Sequence, residues 1–132
     1  MKEQLTLKLL KERYGVIRLE KDESIPTWVF VGEFYSITKT EDELSIVCLE
    51  KDIQLDIKNK KCETDWRILK IEGPLNFSLI GILSKISTLM ANNNISIFAI
   101  STYDTDYILI KENKIKKAIN TLMTNGYKVF NS

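Results

Sequence analysis

Apolar residues along the 132-residue chain change their spacing from two to three or four and back, and those changes mark its elements. Trp66-Arg67-Ile68-Leu69-Lys70-Ile71 reads as a short strand ended by Gly73-Pro74. Leu79, Ile82, Leu83, Ile86, Leu89 and Met90 then recur at helical spacing, the buried stripe of a helix capped by Ser78 and running to about Ala91. Asn92-Asn93-Asn94 stops it, because asparagine tolerates the left-handed backbone that ends helices. Ile95–Ser101 and Tyr107–Lys111 are strand-like. A second helix from Asn113 gathers Ile115, Ala118, Ile119, Leu122 and Met123 on one face, Gly126 ends it, and Tyr127–Phe130 closes as a strand. The order βαββαβ within about 65 residues is the ferredoxin-like arrangement of an α+β fold.

The first half reads as a trimmed copy. Leu5–Leu10, Val16–Leu19, Phe34–Thr38 and Leu44–Leu49 are strand-like, with Tyr14-Gly15 between the first two. No long amphipathic helix separates them: Ile25-Pro26-Thr27-Trp28-Val29 supplies one helical turn with Pro26 near its start. Setting Ile37–Leu44 over Ile100–Tyr107 aligns strand, polar acidic bend and strand, which points to an internal duplication. Ile53, Leu55 and Ile57 alternate as a further short strand, and Lys58-Asn59-Lys60-Lys61 is the expected linker. Tandem units over 1–61 and 62–132 follow, the first one trimmed.

Composition narrows the function. A length of 132 residues suits one ordinary domain or two very small ones, and 44% hydrophobic residues can build a modest core. Nineteen cations against eighteen anions leave +1, which argues against a nucleic-acid or anionic-membrane partner and eases self-association. Cys48 and Cys62 are too few for a disulfide framework and read as reduced thiols of a cytoplasmic protein. The N-terminal MKEQLTLKLLKERYG lacks an apolar signal core, and no window approaches the roughly 18 apolar residues of a membrane span.

Chemistry points to binding rather than catalysis. There is no histidine, neither cysteine has a partner at metal-ligand spacing, and Gly32, Gly73, Gly81 and Gly126 form no phosphate-cradling loop. No enzyme activity, cofactor or metal is expected. Two stretches invite a ligand instead. In Gly73-Pro74-Leu75-Asn76-Phe77-Ser78 and on to Gly81, a helix mouth offers backbone N–H groups suited to a carboxylate. In FAISTYDTDYILI, residues 98–110, the bend between two strands holds Ser101, Thr102, Tyr103, Asp104, Thr105 and Asp106. Each has a plainer account, Ser78 as a cap with Gly81 for close packing, and turn residues that bond their own backbone. In a βαββαβ fold the two stretches face one another, N–H donors on one side and hydroxyls with an acid on the other. That pairing complements a zwitterionic α-amino acid.

WRILKIEGPLNFSLIGILSKISTLMANNNISIFAISTYDTDYILI resembles the ACT-domain family, amino-acid-sensing regulatory modules, and FYSITKTEDELSIVC extends the likeness into the first half. It is most similar to small tandem-ACT bacterial proteins and to the cytosolic arginine sensors of animals. The resemblance implies a ligand's α-amino and carboxylate end held at Asn76, Phe77, Ser78, Leu79 and Ile80, beside Gly81, with Thr102, Tyr103 and Asp106 completing the pocket. Two positions depart from the sensors: Asn76 stands where they have glycine, and Leu79 where they have an acid. Four ACT units in the sensors against two here imply a homodimer. The expected function is regulation of a protein partner by a free amino acid bound at an inter-domain or dimer interface, between the 74–81 loop of one unit and a neighbouring unit, with Phe77 and Tyr103 walling the pocket and Thr102 and Asp106 giving polarity. The competing expectation is a ligand-free interaction module that recruits a partner or another copy.

Overall fold

In the computed structural model, which describes residues 5–54, 61–72 and 81–132, the strand near the start of the chain pairs with one strand from its middle and one from its far end. β1 (Thr6–Leu9) runs antiparallel to β5 (Cys62–Ile71), with Leu7 opposite Ile71. On its other side it runs parallel to β8 (Lys128–Asn131), with Leu7 opposite Val129. The chain accordingly divides into a larger unit, residues up to Lys11 together with Arg67–Ser132, and an inserted unit, Glu12–Trp66. This grouping differs from the expected halves at the N-terminal strand, because β1 finds its hydrogen-bond partners in β5 and β8.

In the larger unit, Arg67–Ile71 of β5 leads toward α1 (Ile82–Asn92), then β6 (Phe98–Ser101), β7 (Asp106–Lys111), α2 (Glu112–Thr124) and β8. Its strands lie in the order β6-β7-β5-β1-β8. This is the expected βαββαβ motif with β1 slotted between its first and last strands. Ile115, Ala118 and Leu122 of α2 and Ile86 and Met90 of α1 are buried against Leu7, Leu69, Ile71, Ile108 and Ile110. Each fully buried Leu or Ile contributes about 1.5–3 kcal/mol. Met123, expected on the buried face, is instead 55% exposed. Asn94, with φ +60, supplies the left-handed residue that ends α1, and the Ile95 amide returns to the Met90 carbonyl at 2.9 Å. Arg67 ties three points together: it donates to Glu112 at 3.1 Å and to the Leu10 carbonyl at 3.2 Å.

The inserted unit holds β2 (Tyr14–Leu19), β3 (Ser36–Lys39), β4 (Leu44–Leu49) and Cys62–Trp66 of β5. All pair antiparallel in the order β3-β4-β2-β5, the ferredoxin-like order. Where the larger unit has helices, its described residues form single 3-10 turns at Thr27–Phe30 and Glu50–Asp52. Val29 from the first turn and Ile53 after the second reach the core of Ile17, Leu19, Leu44, Ile46 and Cys48. Gly15 lets Ile53 in, since a Cβ there would collide with the Ile53 side chain.

The duplication is visible, but one residue away from the expected alignment. The hairpin β3–β4 ends on the pair Lys39–Leu44 and β6–β7 on Ser101–Asp106. Each leaves a four-residue bend, so Thr40 superposes on Thr102 and Leu44 on Asp106. A one-residue slip exchanges the two faces of a strand. Two further boundaries move. β5 starts at Cys62 rather than Trp66, and α1 starts at Ile82 with Gly81 just before it, rather than near Ser78. Leu55, Ile57 and most of the expected linker, Lys58-Asn59-Lys60, lie outside the described residues.

Candidate functional site

The polar surplus of the β6–β7 bend is used in layers. The Ser101 hydroxyl donates to Asp106 Oδ1 at 2.5 Å across the last strand pair. The Thr102 amide donates to the Thr105 carbonyl at 2.8 Å. The Thr102 hydroxyl lies 3.0 Å from that carbonyl and accepts from the Thr105 amide at 3.3 Å. Beneath them Thr105, 5% exposed, donates its own hydroxyl to the Ile71 carbonyl at 2.6 Å. That bond fixes the bend against the last residue of β5, where the chain leaves toward residues 73–80.

The other hairpin repeats half of this. The Thr40 amide reaches the Glu43 carbonyl at 2.9 Å, and the Thr40 hydroxyl accepts from the Glu43 amide at 3.1 Å. Thr105, however, is matched by Glu43, and Asp106 by Leu44, a core residue at 3% exposure. The hydroxyl that anchors to β5 and the carboxylate at the strand end therefore belong to the larger unit alone of the two hairpins.

Gly81 adopts the left-handed conformation, φ +79, directly before α1, and its carbonyl accepts the Lys85 amide at 2.8 Å. Among the described residues no side chain caps this helix, and a Cβ on Gly81 would meet nothing within 4 Å. A helix capped by Ser78 would hold Gly81 inside it; the residue instead sits just before the first helical residue, in a backbone state that favours glycine.

Of the expected site residues, Thr102 opens the bend and Asp106 begins the strand after it, while Tyr103 stands at the tip with 84% of its surface exposed. Gly81 opens α1. Asn76, Phe77, Ser78, Leu79 and Ile80 lie outside the described residues. Thr105 was not among the expected ligand residues. Its signal in the sequence is the Thr-x-x-Thr spacing, which only the fold reveals as one turn-locking and one anchoring hydroxyl. Among the described residues no cluster of three or more metal-ligating side chains is placed to hold an ion, and no helix is long and apolar enough to cross a membrane.

The ACT-domain family matches residues 61–124, and a second family, described as an N-terminal domain, matches residues 12–56. The mouse cytosolic arginine sensor for mTORC1 subunit 1 is 32% identical over 95 residues, 67% of this chain but only 28% of the sensor. The match thus spans under a third of that relative's length. A protein from Agrobacterium tumefaciens of known crystal structure is 36% identical and superposes with TM-score 0.90, covering 99% of this chain and 96% of its own. The ligand-free regulatory subunit of aspartate kinase from Thermus thermophilus superposes with TM-score 0.62 over 89% of this chain and 95% of its own. At 12% identity that last likeness is one of fold. By its βαββαβ motif and the family match over residues 61–124, the larger unit belongs to the ACT-domain family.

Proposed function

We propose that this protein is a regulatory module that senses a free amino acid through the β6–β7 bend, Gly81 and residues 74–80 of the sequence before it. The observation that carries the reading is the difference between the two hairpins. Built alike, they diverge where one buries Leu44 and the other presents Asp106 with Thr105 anchored beside it. One Asp106 oxygen accepts from Ser101, and its Oδ2 accepts no bond among the described residues, which suits an ammonium or guanidinium. The helix mouth after Gly81 supplies N–H groups for a carboxylate. The name of one relative, an arginine sensor, supports the same class of ligand and role. The protein works in the cytosol as a homodimer, without catalysis, cofactor or nucleic acid, and ligand shifts the population of a state that a protein partner recognises. Isothermal titration with the common amino acids tests this: one of them should release or absorb heat at millimolar concentration or below. Asp106→Ala should abolish that signal while leaving the thermal transition in place. Silence from every amino acid in the wild-type protein overturns the reading.

A second reading has its own observation. The threonine hydroxyls of the bend are already engaged, Thr102 within the turn and Thr105 on the Ile71 carbonyl, and Tyr103 is largely exposed at its tip. Both suit a ligand-free module that engages a protein directly. Recovery of a stable partner irrespective of added amino acid favours it.

A further inference from the structure

The near-neutral total charge hides a partition. The larger unit, residues 1–11 and 67–132, carries eleven Lys or Arg and five Asp or Glu, a formal +6. The inserted unit, residues 12–66, carries eight against thirteen, a formal −5, and the two account for the +1 of the chain. The opposed charges are carried on well-formed surfaces. On α2, Lys116 and Lys117 are exposed, and Met123, 55% exposed, lies two turns on from Lys116 on the same side. On the inserted unit the exposed Glu41 and Asp42 top a bend locked by Thr40. That unit also exposes Phe30 and Tyr35, 48% and 42%, whose rings pack edge to face at 5.4 Å.

We infer that the inserted unit of one copy docks on the larger unit of a second copy, α2 lysines toward the acidic bend and surrounding carboxylates. The exposed aromatic pair and Met123 supply apolar area to bury. Opposite net charges on the docking units steer encounter and select this pairing over like-with-like, where −5 would meet −5 or +6 meet +6. A chain whose units were each near neutral would give no such preference. The inference takes its partner from the homodimer proposed above and is independent of any amino-acid ligand.

Charge-swapped full-length chains test it by sedimentation and light scattering. Wild type should be a dimer whose dissociation constant weakens roughly tenfold or more between low and high salt, as screening of exposed charges requires. Lys116→Glu/Lys117→Glu and Glu41→Lys/Asp42→Lys should each shift toward monomer alone. Mixed together they should recover a heterodimer, since each then offers what the other lacks. Unchanged circular dichroism of the two variants separates lost association from lost folding. A wild-type monomer at all concentrations overturns both the homodimer and this inference. A dimer indifferent to salt, or variants that neither dissociate alone nor recover on mixing, leaves the homodimer standing and overturns the charge-matched docking.

Discussion

Thr105 shows how a polar residue earns a place among apolar neighbours. Its side chain is buried, and the bond to the Ile71 carbonyl offsets the loss of water. Thr105→Val keeps the shape and strands that carbonyl. The expected cost is about 1–3 kcal/mol, read as a lower urea midpoint, while Thr105→Ser should lose less. If ligand sits at the bend, Thr105→Val should also weaken its binding, and Thr105→Ser should restore most of it. Nothing in the sequence distinguished this threonine from Thr102, because both stand in the same turn and only the strand beneath separates a locking hydroxyl from an anchoring one. Asp106, by contrast, stood out in the sequence as an acid directly before an apolar strand run, and it takes up the last strand pair of the hairpin opposite Ser101.

At the level of elements, periodicity carried most of the helices and strands. Ile115, Ala118 and Leu122 are buried at the spacing that α2 requires, and Leu44–Leu49 forms a strand with the bounds its apolar run suggested. What misled was local and one residue deep. The two hairpins share type rather than identity, so the alignment slid by a residue, and only the pairs Lys39–Leu44 and Ser101–Asp106 fix it. A helix capped by Ser78 would have enclosed Gly81, because backbone handedness leaves no mark on hydrophobic pattern. Its left-handed conformation yields a measurable expectation. Gly81→Ala should destabilise by about 1 kcal/mol despite the open space around it, and Gly81→Asn by less, because asparagine tolerates that region. Equal losses in denaturant titration would contradict a backbone origin.

For the molecule as a whole, the placement of β1 was beyond the sequence, since pairing across most of the chain has no local signature. The charge partition was likewise invisible until the units were known. The inserted unit also concentrates the groups that penalise high pH. Burial, then nearby Cys62 and Asp52, push the Cys48 thiol up to about 12, and burial, then Glu12 and Glu33, push the Tyr14 phenol up to about 12. Both prefer their neutral forms when folded, so their contribution is intact below the unfolded values of about 9 and 10. It is lost as pH climbs from there toward 12, because the unfolded chain releases protons first. Melting temperature should fall with pH above about 9, less steeply in Cys48→Val. Thiol reagents should label Cys62 before Cys48, which is fully buried.

The slot occupied by β1 imposes an order of events on a growing chain. A ribosome finishes β1 early, yet its register neighbour Lys128 follows more than a hundred residues later. At roughly 5–20 residues per second, that strand waits on the order of ten seconds for β8, and about half of that wait passes before β5 is made. The intervening unit can acquire its own hydrogen bonds meanwhile, leaving the opening segment as the last piece to be threaded home. Exposed strand edges in that interval invite pairing with a neighbouring nascent chain, so slower translation should raise the yield of entangled, strand-exchanged product.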